Sequence, residues 1–245
     1  MSHIKLENLH IGGLKIYRDA DDFSFGTDAV LLAWFASEKM ADKMCDLCTG
    51  NGIIPLLACT RLNKTKIYGV EIDTHRAQLA LQNVLLNGLE DRMEMIEGDL
   101  RQINQLLPSG QFDLVSVNPP YLRMDSGFHP TEIEKGARME LFCTFADVAQ
   151  AGKYLLKQGG RFCVIHRTER LTDVLCMMRQ NLLEPKRIRF IVTREGKTSD
   201  LFLCEGKKGA KPGLKMELPM VIYDRQGKYT PLLQQIYGRE LCPEQ

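Results

Sequence analysis

The feature that most limits the fold is a regular alternation, from residue 44 onward, of short apolar runs with stretches at helical spacing. The runs are too short for helices, and the stretches between them carry apolar residues three and four positions apart. This alternation predicts β-strands joined by helical crossovers, and hence a parallel sheet covered by helices on both faces. The predicted strands cover residues 44–48, 66–72, 93–99 and 112–117, and the predicted helices between them cover 53–62 and 75–87.

Further elements are predicted on both sides of this core. Residues 4–18 alternate weakly and break at Gly12-Gly13, which indicates a short hairpin. A helix is predicted over 28–38, with Thr27 or Asp28 as its N-cap. After the fourth strand the pattern predicts a helix (140–157), a strand (161–166), a helix (169–182), an antiparallel closing pair (186–193 and 200–205), a mobile basic loop (206–215) and a short helix (230–238).

The length of 245 residues suits one large domain, and neither an internal repeat nor a domain boundary is evident. No run of eighteen apolar residues occurs, and the first seven residues lack the apolar stretch of a signal peptide. We therefore expect a cytoplasmic protein without a membrane-spanning segment. The expected single domain, 1–245, comprises an N-terminal hairpin and helix (1–43), a core (44–205) and a basic loop with a C-terminal tail (206–245).

The eight cysteines are scattered, mostly within apolar runs, as is typical of reduced, buried thiols rather than of a disulfide framework. Cys45 and Cys48 form the one close pair. A zinc ribbon needs a second such pair, and a redox motif needs a different context. Neither a metal site nor redox chemistry is therefore expected.

The net charge of +1 conceals an asymmetry along the chain. Residues 151–215 contain fifteen Lys and Arg against six Asp and Glu, a net charge of +9 there and of −8 elsewhere. A basic face favours a nucleic-acid partner, although a solvated lysine-rich surface has the same composition. The basic residues singled out as a candidate track for phosphates are Arg187, Arg189, Lys207, Lys208, Lys211 and Lys215.

The apolar run 112–117 ends in Asn118-Pro119-Pro120-Tyr121, which predicts a stiff turn at the end of a strand. Two consecutive prolines cannot continue a strand because each lacks the N–H that the ladder needs. The Asn118 amide can both accept and donate hydrogen bonds, and Tyr121 offers a flat face for stacking. Such a turn is suited to gripping a planar amine, and a rigid turn with a packed tyrosine is the alternative.

A glycine-containing turn follows the first predicted strand, with the sequence Asp46-Leu-Cys-Thr-Gly50-Asn-Gly52. Glycines in such a turn let the backbone approach a ligand closely, and the next helix directs its N–H groups there. A dinucleotide-binding turn would have a third glycine where this chain has Pro55, which argues against NAD. The acidic Asp46 ahead of the turn suits a ligand with an ammonium group, such as the amino-acid end of S-adenosylmethionine.

Two more carboxylates stand at the ends of the next predicted strands. Glu71 ends the second strand, where a carboxylate can accept from both hydroxyls of a ribose, and Asp99 ends the third, where it could accept from an adenine amine. Each acid alone could instead cap the following helix. Three acids at successive strand ends would line the crevice in which open α/β sheets bind ligands.

Taken together, these motifs resemble a known family. The segments 46–57, 69–73, 97–100 and 117–121 have the order seen in class I S-adenosylmethionine-dependent methyltransferases. With residues 25–32 added, nearly the whole chain is similar to the bacterial tRNA adenine-N6 methyltransferases that modify valine tRNA beside the anticodon. The resemblance implies an α/β, Rossmann-like domain with a mostly parallel sheet, an antiparallel closing strand and helices on both faces.

The resemblance also implies which residues would act. S-adenosylmethionine would be the cofactor and a tRNA adenine the acceptor, its amine held by Asn118 and the Pro119 carbonyl and its ring stacked on Tyr121. Cys48 stands where the class usually has a glycine, so the backbone there must accommodate a side chain. The residues implied in cofactor binding are Thr27, Asp28, Asp46, Cys48, Gly50, Gly52, Glu71, Asp99, Leu100 and Asn118, and those implied in substrate binding, besides the basic track, are Pro120, Arg123 and Arg138.

Other functions share parts of this pattern. A protein glutamine methyltransferase would also suit an Asn-Pro-Pro-Tyr turn, but that class usually carries a separate helical domain ahead of the core. Another rRNA or DNA amino-methyltransferase is a further alternative, although a DNA enzyme would normally need a target-recognition domain. A non-enzymatic RNA chaperone that binds S-adenosylmethionine would be favoured if Asn118 or Gly50 were absent, and both are present. The sequence leaves monomer and dimer open.

Overall fold

The computed structural model of the chain describes residues 4–19, 26–119 and 143–238. The predictions for Pro120, Tyr121, Arg123 and Arg138 therefore lie outside the described residues.

A two-stranded antiparallel hairpin precedes the main sheet, as predicted. Its strands are β1 (Ile4–Asn8) and β2 (Lys15–Asp19). Two asparagine side chains hold β2 by its backbone: Tyr17 N–H donates to Asn83 Oδ1 at 2.6 Å, and Lys15 N–H donates to Asn87 Oδ1 at 2.9 Å. The hairpin is thus attached to the helix that carries these asparagines.

The main sheet consists of strands that run in one direction, apart from one reversed strand. The strands are β3 (Lys43–Leu47), β4 (Lys66–Glu71), β5 (Met93–Glu97), β6 (Phe112–Val117), β7 (Leu156–Arg167), β8 (Leu183–Arg194), β9 (Ser199–Lys208), β10 (Lys215–Met216) and β11 (Met220–Tyr223). Their order is β10-β8-β9-β7-β6-β3-β4-β5, and β11 also pairs with β8. Only β9 is antiparallel to its neighbours, β7 and β8, among the described strands of this sheet. This order confirms the predicted mostly parallel sheet with an antiparallel closing strand.

Helices follow most of the strands, and two of the described helices begin at side-chain caps. They are α1 (Thr27–Ala36), α2 (Ile53–Cys59), α3 (Thr74–Leu86), α4 (Ile103–Leu106), α5 (Phe145–Leu155), α6 (Leu171–Gln180) and α7 (Pro231–Ile236). Asp73 caps α3 by accepting from Arg76 N–H, and Thr144 caps α5 in a reciprocal capping box with Asp147. The cap predicted for α1 was wrong: Gly26 is the N-cap, and Thr27 and Asp28 already belong to the first turn.

The helices cover both faces of the sheet, because side chains along each strand alternate between two cores. On β7, Cys163 and Ile165 belong to the core beneath α1, α2 and α7, whereas Phe162 and Val164 belong to the core beneath α5 and α6. A period of two residues along a strand requires this division. The prediction of helices on both faces is confirmed.

The closing part of the sheet is longer than predicted. β7 begins at Leu156 instead of residue 161, so the two glycines expected to separate helix from strand lie within the strand. β9 extends to Lys208, which removes the first three residues from the predicted basic loop, and β10 and β11 were not predicted at all. Pairing between neighbouring strands, which residue patterns do not record, extends these elements.

A buried group of charges joins the C-terminal end of α1 to the sheet. Glu205 of β9 lies 3.3 Å from Arg161 Nη1 and 3.4 Å from Arg187 Nη2. The same guanidinium groups donate to helix carbonyl oxygens, Arg161 to Ala36 at 3.0 Å and Arg187 to Phe35 at 3.1 Å. Burial would raise the pKa of Glu205, but the adjacent cations outweigh burial and hold that pKa below its ordinary value. The charges therefore compensate one another inside the protein.

Arg187→Met is expected to lower the free energy of unfolding by about 3–5 kcal/mol, because it leaves the buried Glu205 short of a partner. Arg179→Met is the matched control: Arg179 pairs with Glu184 on the surface, with 61% of its side chain exposed, and its loss should cost less than about 1 kcal/mol. Urea denaturation measures both values. Equal losses in the two variants would contradict the stabilising role assigned to Arg187.

Candidate functional site

Four predicted site residues meet at the carboxyl edge of the sheet. Asp46 of β3 is paired with Ser116 of β6, and Asn118 follows β6 directly. Glu71 is the last residue of β4, and Asp99 stands two residues beyond β5. Because β3 to β6 are parallel neighbours, the structure brings the three acids and Asn118 to one place.

The turn after β3 is built from left-handed residues. Cys48, Gly50 and Gly52 have φ angles of 56°, 57° and 83°. Apart from Gly50 and its two chain neighbours, no described atom lies within 4 Å of the point that a Cβ of Gly50 would occupy, so that position is open to a ligand. A Cβ at Gly52 would lie 3.4 Å from Ala80 of α3, so Gly52 lets the turn pack closely on that helix.

Cys48 shows how the chain accommodates a side chain where the resembling class has glycine. The left-handed conformation costs an L-residue about 1–2 kcal/mol. The Cys48 thiol lies against the Cys143 thiol, which precedes α5, and the hydrogen bond between them raises the pKa of Cys48 and lowers that of Cys143. This contact holds the turn after β3 against the residues that precede α5.

Glu71 connects the turn to the next helix. Its Oε2 accepts from Gly50 N–H at 2.8 Å, and its Oε1 accepts from Asp73 N–H at 3.1 Å. The carboxylate is buried, with 7% of the residue exposed. Each carboxylate oxygen retains a second lone pair, so Glu71 can hold the turn and still accept a hydroxyl.

Asp46 is completely buried and only partly satisfied. Ser116 Oγ donates to Asp46 Oδ1, whereas Asp46 Oδ2 makes no hydrogen bond of ordinary geometry with a described residue. Burial raises the pKa of Asp46 to about 7, and the nearby hydroxyls of Ser116 and Thr49 offset only part of this effect. A cationic group of a ligand beside this carboxyl would favour its ionised form.

Asp99 is held by the residue two positions after it. Arg101 Nε donates to both Asp99 oxygens at 3.0 and 2.9 Å, and these bonds lower the pKa of Asp99. The backbone N–H of Arg101 also donates to Asp99 Oδ1 at 2.9 Å, so Asp99 caps the short turn that begins at Leu100. Leu100 itself is buried in the core below the edge. Asp99 therefore has a structural role in addition to the predicted role toward an adenine.

Asn118 carries an unpaired acceptor at the end of β6. Its Oδ1 is buried and accepts no hydrogen bond from any residue in the described ranges. Pro119 next to it is buried and has a trans peptide bond, as all described peptide bonds do. An unsatisfied buried carbonyl costs about 1–3 kcal/mol, a cost that a donor group of a ligand would offset.

Helix α1 is anchored at its C-terminal end. That end lies over the first halves of β7 and β8, where Arg161 and Arg187 hold its carbonyl oxygens. A helix of ten residues spans about 15 Å, so Thr27 and Asp28, in the first turn, lie about 15 Å from these arginine contacts. Their role toward a cofactor stays a prediction.

The structure places two lysines of the predicted phosphate track at the edge of the sheet opposite Asn118. β9 runs against the other strands, so Lys207 and Lys208 lie at the amino edge, opposite Asn118. Lys208 Nζ donates to the carbonyl oxygens of Lys153 and Leu156 at 2.6 and 2.7 Å and so caps α5. Lys211 follows β9 and lies near Lys186, which donates to its carbonyl oxygen at 3.1 Å.

The two arginines of that track are engaged within the protein. Arg187 is buried, with its guanidinium carbon 3.9 Å from the ring centre of Phe35. Arg189 pairs with Glu217 at 2.9 Å and lies 5.6 Å from the ring centre of Trp34. Both arginines thus already have partners inside the protein, and a phosphate contact by any residue of the track stays a prediction.

Three residues important at this edge were not predicted. Ser116 binds Asp46, and the buried Asn83 donates to the Asn51 carbonyl oxygen at 3.0 Å and so supports the turn. A Cβ on Gly69 of β4 would lie 2.9 Å from Thr49 Cγ2, so only glycine lets the turn lie against β4. A serine and a glycine within apolar strands were visible signals, because each interrupts a run that is otherwise apolar.

The described ranges contain neither a metal-ligand cluster nor a membrane-spanning helix. No group of three or more His, Cys, Asp or Glu side chains there is arranged to hold a metal ion. No helix in the same ranges is long and apolar enough to cross a membrane.

Comparisons with known proteins place this geometry among methyltransferases. A model of the methyltransferase small domain family matches residues 20–188. The tRNA1(Val) (adenine(37)-N6)-methyltransferase of Porphyromonas gingivalis is 27% identical over 215 residues, which cover 84% of each chain. The protein of the same name from Phocaeicola vulgatus is 29% identical over 226 residues, which cover 91% of this chain and 94% of that one.

A solved structure supports the fold. A predicted O-methyltransferase from Agrobacterium tumefaciens superposes with a TM-score of 0.71 at 22% identity, covering 86% of this chain and 96% of that one. The predicted Rossmann-like class I fold is confirmed.

Replacing Asp46 is expected to change how stability depends on pH. The folded carboxyl keeps its proton up to about pH 7, whereas the unfolded one releases it near its ordinary value of 3.8. The contribution of Asp46 to the free energy of unfolding is therefore fully present below about pH 3.8. It decreases by about 1.4 kcal/mol per pH unit as the pH rises from there to about 7. Urea denaturation from about pH 5 to about pH 8 should show that the free energy of unfolding of Asp46→Asn rises relative to that of the wild type until about pH 7, and levels off above it.

Asp113→Asn serves as the control for this pH series. Asp113 has a pKa below its ordinary value and pairs with Lys157 at 2.8 Å, so its contribution changes only in more acidic solution. The difference between Asp113→Asn and wild type should stay flat over the same range. A flat difference for Asp46→Asn as well would contradict a protonated Asp46.

Cys48→Gly and Cys48→Val should differ in stability because of the left-handed backbone at this position. Glycine adopts that conformation freely and should stay within about 1 kcal/mol of wild type, whereas a β-branched residue should lose about 1–3 kcal/mol. Cys176→Val, at an exposed position on α6, should change stability by less than about 0.5 kcal/mol. Chemical denaturation measures the three variants. Equal free energies of unfolding for the Val and Gly variants at position 48 would contradict a cost of the left-handed conformation there.

Proposed function

Because the chain belongs to the methyltransferase small domain family and uses S-adenosylmethionine, we propose that it methylates N6 of an adenine in tRNA. The names of the relatives from Porphyromonas gingivalis and Phocaeicola vulgatus support this acceptor. On the same grounds we propose the finer substrate, the adenine beside the anticodon of valine tRNA. Such a substrate places the enzyme in the cytoplasm.

The observation that carries the proposal is the Oδ1 of Asn118, which has no hydrogen-bond partner among the described residues. It is a buried acceptor at the carboxyl edge, one residue beyond β6 and next to the turn after β3. A planar amine has two N–H groups, and this oxygen and the Pro119 carbonyl can each accept one of them. The backbone before and at the two prolines is stiff, so the two acceptors are held in place before the substrate arrives.

The proposed role of these acceptors follows from the chemistry of adenine. The lone pair of the exocyclic nitrogen is delocalised into the ring, which makes it a weak nucleophile. Two acceptors that bind its hydrogens favour a tetrahedral nitrogen and so stabilise the transition state more than the ground state. Each such bond contributes about 1–3 kcal/mol. Stacking on Tyr121, which we retain as a proposal, would offset the cost of turning the base out of the RNA.

The cofactor fits the residues at the strand ends. S-adenosylmethionine, when bound, supplies a methyl group on a positively charged sulfur. The open space at Gly50 admits a ligand to the turn, and Glu71 has lone pairs left for ribose hydroxyls. The partly satisfied Asp46 suits the ammonium group, and Asp99 retains the predicted role toward the adenine amine. We also keep Cys48, Gly52, Leu100, Thr27 and Asp28 in the proposed cofactor site on the basis of their positions.

The acceptor assay tests this proposal. The protein and S-adenosylmethionine with a labelled methyl group are incubated separately with unmodified tRNA, duplex DNA and a release-factor protein, and the products are digested and identified. N6-methyladenosine from tRNA is the expected product. Label in N5-methylglutamine, or in DNA alone, would overturn the proposal, since a glutamine amide also presents a planar amine.

Asn118→Ala is expected to lower kcat by about 10²–10³-fold while the Kd for S-adenosylmethionine changes only a few fold, because the lost acceptor serves the amine. Asn181→Ala, which removes an amide side chain that donates to the Met177 carbonyl oxygen of α6, is the matched control and should retain activity. Single-turnover kinetics and calorimetry measure the two quantities. Loss of cofactor binding in Asn118→Ala would show that the role assigned to Asn118 is wrong.

A further inference from the structure

Three tyrosine rings are stacked at one end of the sheet, far from the cofactor turn. The ring centres of Tyr223 and Tyr229 are 5.3 Å apart with an angle of 10° between the planes, and those of Tyr229 and Tyr237 are 5.2 Å apart with an angle of 11°. Tyr229 and Tyr237 pack against the core beneath α1 and α7. Tyr223 is the outer ring of this tyrosine stack and lines an open groove.

The segment that carries Tyr223 is held firmly. Asp224 Oδ1 accepts from the backbone N–H groups of Gln226 and Lys228, both at 2.9 Å, and Asp224 N–H donates to the Lys228 carbonyl oxygen at 2.8 Å. Thr230 Oγ1 donates to the Val221 carbonyl oxygen at 2.7 Å. These bonds order the turn between Tyr223 and Tyr229, so a ligand that stacks on Tyr223 has little conformational entropy to overcome.

The groove beside Tyr223 contains two arginines and two acids. It has a volume of about 670 Å³, and its charged lining residues are Arg194, Arg225, Glu195 and Asp224. The Asp224 carboxylate already accepts from two backbone N–H groups of its own turn. Arg194 is exposed and forms no ion pair with any described residue, whereas Arg225 shares a highly exposed pair with Glu195 at 3.2 Å. An exposed pair of that kind contributes little and exchanges readily for another anion.

The tyrosine stack lies at the carboxyl edge of the sheet, as Asn118 does. Tyr223 ends β11 and is paired with Arg194, the last residue of β8, and both strands run parallel to β6. Four strand spacings separate β11 from β6, which is about 19 Å. Across the sheet, Val117 is aligned with Val164, then Cys204 and then Ile188, so Asn118 is level with the residue after Ile188. Arg194 lies about five residues beyond that level, which is about 16 Å along the strands. The two places are thus about 25 Å apart.

We propose that the tyrosine stack and Arg194 bind an unpaired nucleotide of the RNA substrate, outside the adenine pocket. The base stacks on Tyr223 and extends the row of rings, and a phosphate contacts Arg194. This inference rests on the proposed function, because the RNA is the molecule that would reach both places. A separation of about 25 Å corresponds to about seven base steps at 3.4 Å each, so the nucleotide is not a neighbour of the target adenine.

Nucleic acid is favoured over a protein partner by the combination of a flat ring and an exposed arginine. Every base has a π face that stacks on an aromatic side chain, and the surface needs no specific donor or acceptor pattern to bind it. Arg194, which has no ion-pair partner among the described residues, supplies the phosphate contact that fixes the backbone beside the stacked base. A duplex does not offer such a face, so the bound nucleotide lies in a loop or at a bulge.

The first test compares Tyr223→Ala, Tyr223→Phe and Tyr223→Leu in tRNA methylation. Loss of stacking should raise the KM for tRNA about 5- to 100-fold in the Ala variant, while kcat and the Kd for S-adenosylmethionine stay within about twofold. Phe should retain the wild-type KM, and Leu, apolar but without a ring, should resemble Ala. Unchanged KM in the Ala variant, or a Leu variant equal to Phe, would overturn the stacking role.

The second test uses Arg194→Gln with Arg179→Gln as its matched control. Arg179 is an exposed arginine of α6 that lies toward the amino edge near the start of β8. Filter binding of tRNA over a salt series should show the slope of log K against log salt reduced by about one for Arg194→Gln and unchanged for Arg179→Gln. An unchanged slope in Arg194→Gln would remove the phosphate contact from the proposal.

The same binding assay separates failure of this inference from failure of the proposed function. If wild type methylates tRNA but Tyr223→Ala binds and methylates it normally, the tyrosine stack is not part of the substrate site and the proposed function stands. If wild type binds tRNA through Tyr223 without methylating it, the proposed function fails and the stack is still an RNA site. If wild type does not bind tRNA at all, both are overturned.

Discussion

Parallel pairing of β3 with β4 on one side and β6 on the other is the constraint on which the rest of the structure depends. Each parallel pair requires a crossover that returns the chain to the starting edge, so the residues after each strand collect at the opposite edge. Asp46, Glu71, Asp99 and Asn118 are close together for this reason alone. The hydrogen bonds from Gly50 and Asp73 to Glu71 then hold the turn against the neighbouring strand.

Two groups of buried polar atoms have different consequences in this protein. The charges around Glu205 and Arg187 are paired with one another and with helix carbonyl oxygens, and they join α1 to the sheet. Asp46 Oδ2 and Asn118 Oδ1 are among the buried atoms that lack hydrogen-bond partners in the described part of the chain, and both lie at the carboxyl edge. Folding alone gains nothing from an unsatisfied buried oxygen, and at this edge a ligand could supply the missing donor.

The alternation of apolar runs with helical stretches was enough to predict β3 to β6, α2, α3 and the class of the sheet. Their boundaries agree within three residues, because local caps such as Asp73 and interruptions such as Gly88 are written in the chain itself. The lengths of β7 and β9 and the existence of β10 and β11 were not predictable in this way. Those strands are stabilised by partners distant in sequence, as in the pairing of Lys207 with Arg161.

The sequence by itself determined the chemistry of the carboxyl edge: which acids, glycines and amide follow the strands, and in which order. Only the tertiary structure decided which charged and aromatic residues share that edge. Lys207 and Lys208 lie at the amino edge because β9 is antiparallel to the other strands. Arg194 and Tyr223 lie at the carboxyl edge, with Asn118, because β8 and β11 run parallel to β6. Strand direction is set by long-range pairing rather than by local composition, so a count of charges along the chain could not reveal it.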